Sequence, residues 1–408
     1  MQRKRYEGTA KIELAQERMG ILSILAKSYK DTQPFEGIRI GMCLHITKET
    51  AVLCRTLVSG GAQLYLCASN PLSTQDDVAD ALRQNGINVY GYSGESINTY
   101  WKHIDAVASK NLNIVMDDGG DLTVRMHTHH KERLGHVIGG CEETTTGVNR
   151  LRAMESKMAL KFPVIAVNNN ITKRMIDNYY GTGQSTIDGI LRSTNILLSG
   201  KTFVVCGYGP CGKGVAMRAK GMGANVVVCE VNPINALQAY LDGYRVMRME
   251  DAAKVGDIFV TVTGDINVIR YEHMLKMKDG AILANSGHFD VEIDVKTLNE
   301  KAVKKERVRH MLDRYLLPNG RRIYLCAEGR LVNLAAGEGH PSEVMATSFA
   351  GQCLAVKYLL ENKGMLENRV YELPIELDMK IAAMQLDAFG VKIDRKTREQ
   401  EEYKHKWK

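Results

Sequence analysis

Thr202–Glu230 reads TFVVCGYGPCGKGVAMRAKGMGANVVVCE. Phe203, Val204 and Val205 make an apolar, β-branched run suited to a strand buried on both faces. Gly207, Gly209 and Gly212 follow as G-x-G-x-x-G and lead into a helix-compatible segment, Val215 to Met222. A second apolar run, Val226 to Val228, ends in Glu230. The first glycine permits a tight turn, the second lets backbone approach a pyrophosphate, and the third lets helix pack closely on strand. The helix N-terminus turns partial positive charge toward the phosphates. Glu230 can accept from a ribose 2′-OH and would repel a 2′-phosphate, which favours NAD over NADP. Three glycines could also serve an ordinary βα turn. The acid ending the next strand argues for a nucleotide.

Outward from this unit the chain alternates. Residues 12–28 carry apolar positions at helical spacing. Ile38 to Leu44 reads as a strand that delivers His45-Ile46-Thr47-Lys48-Glu49 at its end, and a helix follows to about Ser59. Strands at 63–68, 87–91 and 112–116 are expected between helices at 75–85 and 95–109, with the loop Asp117-Asp118-Gly119-Gly120-Asp121 after the last of them. A helix is expected near 148–159 and a strand at 162–167, ending in Asn168-Asn169-Asn170. After the glycine unit, strands are expected at 258–262, 281–283 and 322–326. The segment 343–361 is helical and too apolar for a free surface, so it should pack back on the first part. The predicted class is α/β with two open parallel-sheet, Rossmann-like domains, the nucleotide domain inserted in the substrate domain. The expected boundaries are 1–182 and 339–385 for the substrate domain, 183–338 for the NAD domain, and 386–408 for a short C-terminal tail.

The totals narrow the function classes. At 408 residues the chain is too long for one comfortable core. Hydrophobic residues at 44% and charged residues at 25% are ordinary for a soluble globular protein. The formal charge of +7 is scattered, and its densest run, Tyr403 to Lys408, lacks the aromatic-interleaved basic face of a nucleic-acid binder. Nine cysteines without a C-x-x-C pair read as reduced thiols, and no apolar run approaches a membrane span. A cytoplasmic protein without nucleic-acid or membrane partners is expected.

Strand-end loops concentrate ionisable groups: His45, Glu49, Asp118, Glu143, Lys173, Asp177, His288 and His340. Any one loop-borne histidine or acid is more often structural than catalytic. Several at the carboxyl ends of one sheet point to a site. His127-Thr128-His129-His130 resembles a metal tract but lacks a partner at ligand spacing, so it reads as part of a surface helix and no metal site is expected.

CLHITKETAVL (43–53), NPLSTQDDVA (70–79), DDGGDL (117–122), EETTTGV (142–148), TGQSTIDGI (182–190), GYGPCGKG (207–214), GHFDVEID (287–294), AEGRLVNL (327–334) and GHPSEVM (339–345) occur in one order. In these stretches the chain resembles the S-adenosyl-L-homocysteine hydrolase family over almost its whole length, closest to the short archaeal and bacterial type. The resemblance implies tightly bound NAD, hydrolysis of a thioether, and a homotetramer. Water cannot readily attack the C5′–S carbon, whereas a 3′-ketone acidifies C4′–H and permits β-elimination. By motif, Lys173 resembles the base at the 3′-OH, helped by Asp177 on the ribose. Its pKa would have to be depressed by burial or a neighbouring cation. Asp118 resembles the base at C4′, and His45 the acid/base for thiol departure and water entry. Glu143 resembles a ribose and catalytic-shell partner. Thr47, Glu49 and His340 resemble purine-side contacts, with His340 also gating the channel and meeting the cofactor. His288 corresponds to a histidine near ribose and nicotinamide. Implied cofactor contacts are Thr144, Thr145, Thr146, Asn178, Gly207, the loop Gly209-Pro210-Cys211-Gly212-Lys213-Gly214, Glu230, Asn235, Ser286, Gly287 and Asn333.

The chain departs from the family in places. Thr182 stands where many relatives have a cysteine near the nicotinamide, Asn169 where an aspartate is common, and Asn232 where an aspartate follows the ribose acid. Longer relatives end in a tail whose Lys and Tyr reach a neighbour's NAD, for which Tyr403 and Lys406 are the residues of matching type. Adenosyl and inosyl substrates both remain open, giving adenosine or inosine with L-homocysteine, although Glu49 suits the N–H donor of adenine. An NADH-releasing 2-hydroxy-acid-type dehydrogenase has no need of Lys173, Asp177 and Asp118. A non-catalytic NAD-binding regulator has no need of intact acids and bases.

Overall fold

The computed structural model describes residues 2–407, with side chains from 7 to 407. Alternate residues of the central strands bury on opposite faces, as period-two side-chain geometry requires. Ile40, Met42 and Leu44 enter one core and Cys43 the other, while Phe203 and Val205 part in the same way from Val204 and Cys206. Both sheets are therefore covered on both faces, the condition under which parallel strands are stable.

The first sheet contains β1 (Arg39–Leu44), β2 (Gln63–Ala68), β3 (Asn88–Tyr90), β4 (Ile114–Asp117), β5 (Gly139–Glu142) and β6 (Val164–Ala166). The second contains β7 (Thr202–Cys206), β8 (Asn225–Cys229), β9 (Arg245–Val246), β10 (Ile258–Thr261), β11 (Ala281–Asn285), β12 (Lys304–Arg309), β13 (Leu312–Leu316) and β14 (Arg322–Cys326). The chain then returns, and β15 (Val370–Tyr371) joins the edge of the first sheet beside β6. The orders are β15-β6-β5-β4-β1-β2-β3 and β12-β13-β14-β11-β10-β7-β8-β9. The first sheet is parallel throughout, and the second is parallel except for the antiparallel run β12-β13-β14.

Each sheet reverses its strand order once, between β1 and β4 and between β7 and β10. At such a switch point adjacent loops diverge and leave a crevice at the strand ends. His45 and Asp118 follow the first pair, and Gly207 and Val262 follow the second. The helix Ser342–Glu361 packs back on the first sheet, placing Phe349, Cys353 and Val356 in the core that holds Ile40 and Met42.

Several elements differ from the sequence expectation. The expected helix over 12–28 is two, Gln2–Arg18 and Gly20–Thr32, which break at Met19. β5 escapes periodicity because it opens with Gly139-Gly140. A Cβ on Gly139 would sit 2.7 Å from Leu359 Cδ2, so small residues are the condition for helix Ser342–Glu361 to lie against this strand. β12 is polar and mostly exposed, which hides the hairpin β12–β13. The segment Arg174–Gly181 is a π-helix, an element often found at functional sites. No helix among the described residues is long and apolar enough to cross a membrane.

Candidate active site

The two crevices open into one cleft between the sheets, with a cavity of about 270 Å³. The walls bring together His45, Thr47, Glu49, Asp118, Glu143, Thr144, Thr145, Thr146, Lys173, Asp177 and Asn178 from the first sheet's side. Gly209, Pro210, Cys211, Ser286, Gly287, His288, Asn333 and His340 complete them.

Two titratable groups face each other across the cleft. In the first, His45 leaves β1 with Nδ1 2.7 Å from Ser73 Oγ, which aims Nε2 at Asp118 Oδ2, 3.4 Å away. The other Asp118 oxygen lies 3.6 Å from His288 Nδ1. Burial pushes both imidazoles down to about 4, so each is neutral at pH 7, and burial raises the Asp118 carboxyl against the pull of His45 and Lys173. These three residues are also the one His/carboxylate group among the described residues whose ligand atoms lie within 4.8 Å of one another. The sequence-suspected histidine tract is committed elsewhere. His127 bridges Thr123 O and Lys161 N, His129 meets Arg125 and Thr128, and His130 meets Asp105.

In the second group, Lys173 Nζ lies 3.0 Å from Asp177 Oδ1 and 3.9 Å from Glu143 Oε1, and donates to Asn178 Oδ1 at 2.8 Å and Asn168 Oδ1 at 3.3 Å. The expectation of a depressed lysine pKa is corrected here. Burial does favour the neutral amine, but the Asp177 and Glu143 carboxylates outweigh it and raise the ammonium above the ordinary lysine value. Glu143 accepts from Ser348 Oγ and Gln352 Nε2, one turn apart on helix Ser342–Glu361. Its carboxyl is pushed up by burial to about 7, with Lys173 opposing. Asp177 is lowered: burial raises it, and Lys173 more than compensates.

Beyond the end of β1, Thr47 caps the helix Lys48–Ser59 by accepting from Thr50 N. Glu49 follows in its first turn, 2% exposed. His340 Nε2 lies 3.2 Å from Thr182 Oγ1.

The residues present fit a dinucleotide. The helix Pro210–Gly221 starts at the cleft, and a Cβ on Gly209 would meet nothing within 4 Å. Gly212 and Gly214 allow close approach: their Cβ atoms would lie 2.0 Å from Gly207 O and 1.9 Å from Tyr179 O. Asn333 Oδ1 is buried at the cleft wall without a hydrogen-bond partner, an acceptor left for a ligand donor. Glu230 accepts from Tyr208 N and Val231 N, both at 2.7 Å, and shapes the loop above β8. Glu230, Asn235, Gly207, Gly212, Lys213 and Gly214 lie outside the enclosed cleft, and Lys213 Nζ turns to Gln238 Oε1 at 2.6 Å. Gly214→Ala is expected to expel the cofactor or unfold the loop, because the atoms its Cβ would meet are Tyr179 backbone and cannot retreat along a side chain. Bound nucleotide released per mole of purified variant measures this.

Sequence reasoning missed the second carboxylate in each acid pair. Asp117 accepts from Thr123 N at 2.7 Å, and Glu142 from Gly119 N at 2.8 Å and Thr144 N at 3.0 Å, so these neighbours brace the loops that carry Asp118 and Glu143. Their signal was adjacency within DDGG and EETT. Ser73 lay within the NPLSTQDDVA stretch, and Ser348 and Gln352 carried none.

The neutral histidines have a cost in acid. Their folded pKa values lie below the unfolded value near 6.5, so their contribution is present above that pH and is lost as pH falls toward 4. Thermal melts between pH 7 and 4 are expected to fall more steeply for the native chain than for His288→Asn, by about 1 kcal/mol or more at the acid end.

Two open α/β sheets with their switch points joined in one cleft, lined by an acid–base set and a dinucleotide cradle, define an NAD-binding enzyme. Residues 178–339 match the family described as S-adenosyl-L-homocysteine hydrolase, NAD binding domain, and residues 2–139 match S-adenosyl-L-homocysteine hydrolase. The chain belongs to this family of NAD-dependent hydrolases. It is 55% identical over 403 residues to an adenosylhomocysteinase of Saccharolobus solfataricus, covering 98% of this chain and 96% of that protein. It is 56% identical over 402 residues to one of Aquifex aeolicus, covering 98% and 96%. An S-inosyl-L-homocysteine hydrolase of Methanocaldococcus jannaschii is 54% identical over 402 residues, covering 98% and 97%.

Proposed function

We propose that the protein reversibly hydrolyses S-adenosyl-L-homocysteine to adenosine and L-homocysteine. One observation carries this reading: two acid–base groups, Lys173/Asp177/Glu143 and Asp118/His45/His288, face one cleft beside a dinucleotide cradle. NAD, held by Thr144–Thr146, Asn178, the Gly209–Gly214 loop, Glu230, Asn235, Ser286, Gly287 and Asn333, supplies the oxidation of the ribose 3′-OH and the later reduction of the ketone.

The chain's own residues move protons around that chemistry. Lys173 takes the 3′-OH proton. Since it is an ammonium in the ligand-free protein, it acts as a base only after yielding a proton, and the Asp177 and Glu143 carboxylates at 3.0 and 3.9 Å are what hold that proton on. Asp177 orients the ribose. Asp118 removes the proton at C4′, which lets the C5′–S pair leave as thiolate. The neutral His45, oriented by Ser73, receives that proton from Asp118 at 3.4 Å, delivers it to the departing sulfur, and then takes a proton from the water that adds at C5′. Thr47, Glu49 and His340 take the purine side.

Adenine is favoured over hypoxanthine because Glu49 is a buried acceptor at the cleft wall, matched to an exocyclic N–H donor and opposed to a carbonyl. The S-inosyl reading keeps the same mechanism with the other purine. Turnover of both thioethers by purified protein decides: cleavage of the inosyl compound alone overturns the adenosyl reading. We take 1–182 with 339–385 as the substrate unit, 183–338 as the NAD unit and 386–408 as a tail. A cytoplasmic homotetramer is the expected assembly, with Tyr403, 77% exposed in this single chain, facing a neighbour.

A further inference from the structure

Glu49 is held from one side only. Its Oε1 accepts from Ser342 Oγ at 2.7 Å and lies 3.3 Å from Lys48 Nζ. Both contacts that the described residues make to this carboxylate fall on that single oxygen. Oε2 is left to the cleft that Glu49 lines. Lys48 is itself an unusual choice. It is the first residue of the helix Lys48–Ser59, where the helix dipole disfavours a cation, so its charge is set by a local partner and not by the helix. That side chain is 14% exposed and spans two acids: Glu49, and Glu338 Oε2 at 3.2 Å on the segment returning from the second sheet. Burial works against the Lys48 charge, but Glu49 and Glu338 together raise it above the ordinary lysine value.

We propose that Lys48 is the residue that sets purine specificity, acting through Glu49: with Ser342 it occupies Oε1 and leaves Oε2 as the lone acceptor presented to the purine C6 substituent. A buried carboxylate stays ionised only when paired and hydrogen-bonded, and an ionised one accepts without donating. Such a group takes the amino hydrogens of adenine and repels the carbonyl of hypoxanthine. Without its cation the same side chain is free to turn its oxygens, and that change relieves the penalty on hypoxanthine. The inference rests on the adenosyl reading above.

Lys48 could instead serve as an ionic latch through Glu338. A latch acts on cleft closure, so its loss would slow both nucleosides alike and leave their ratio untouched. The experiment compares kcat/KM for S-adenosyl- and S-inosyl-L-homocysteine in the wild type, Lys48→Met, Lys48→Gln, Lys48→Arg and Glu338→Gln. The adenosyl-to-inosyl ratio is expected to fall about tenfold to a hundredfold in Lys48→Met and Lys48→Gln, the range of a hydrogen bond to a charged group. The loss should appear as a raised KM for the adenosyl substrate, because the purine is bound alike in ground and transition states. Arginine should restore the ratio, and Glu338→Gln should keep it. A ratio unchanged in both neutral variants overturns the proposal, as does an equal shift in Glu338→Gln. The wild-type ratio alone judges the adenosyl reading, while the change from wild type to variant judges Lys48.

Discussion

Lys173→Ala is expected to lower kcat by about 10²–10⁴-fold, the usual contribution of a positioned proton-transfer group, while purified protein still carries NAD. The amine is the one group placed among Asp177, Asn178, Asn168 and Glu143, and removing it leaves two carboxylates facing each other with no cation between them. Lys173→Arg sharpens the expectation. A guanidinium preserves the charge and can keep both acids paired, but it cannot deprotonate near neutrality and so cannot act as the base. Both variants should therefore be inactive, with arginine the better folded. Turnover by thiol release, set beside nucleotide released on denaturation, separates the two effects. Unchanged turnover in either variant removes Lys173 from the proton path, and activity in Lys173→Arg alone would reduce it to an electrostatic role.

Asp118→Asn is expected to abolish solvent exchange at C4′, again by about 10²–10⁴-fold. The amide keeps the shape of the carboxyl and its place between His45 and His288, but it has no basic lone pair to take a carbon-bound proton. Incubating the nucleoside product in deuterated buffer and counting label at C4′ reads this step apart from thiol release. Label arriving at the native rate while hydrolysis is lost would move Asp118 to the departure of sulfur. The native carboxyl is raised by burial, which makes it a stronger base than a solvated aspartate and suits a carbon acid.

The fold was legible wherever an apolar strand met a glycine or an acid at its end. β7, its glycine loop and β8 announced a nucleotide unit, and His45 after β1 with Asp118 after β4 announced a second ligand edge. Legibility failed where tertiary contact replaced local preference. β5 begins with two glycines because Leu359 of helix Ser342–Glu361 crowds the first and Phe162 with Val115 O the second, and β12 is polar because most of it faces water. Site residues were readable when they lay in a motif and unreadable when they acted from behind it. Ser348 and Gln352 sit mid-helix with nothing local to mark them, yet they hold both oxygens of Glu143. The Lys173 environment was misread in sign, since only folding places two carboxylates closer to the amine than any cation.

The chain passes between its two sheets twice, once along the π-helix Arg174–Gly181 and once through the segment from Gly337 to Pro341. A plate hung from two points keeps a single free motion, a swing about the line through them. Asp177 and Asn178 sit at one pivot, Glu338 and His340 at the other. A swing of one sheet against the other would then carry Asp177 with Asn178 and Glu338 with His340 together, since each pair lies on one of the two crossings.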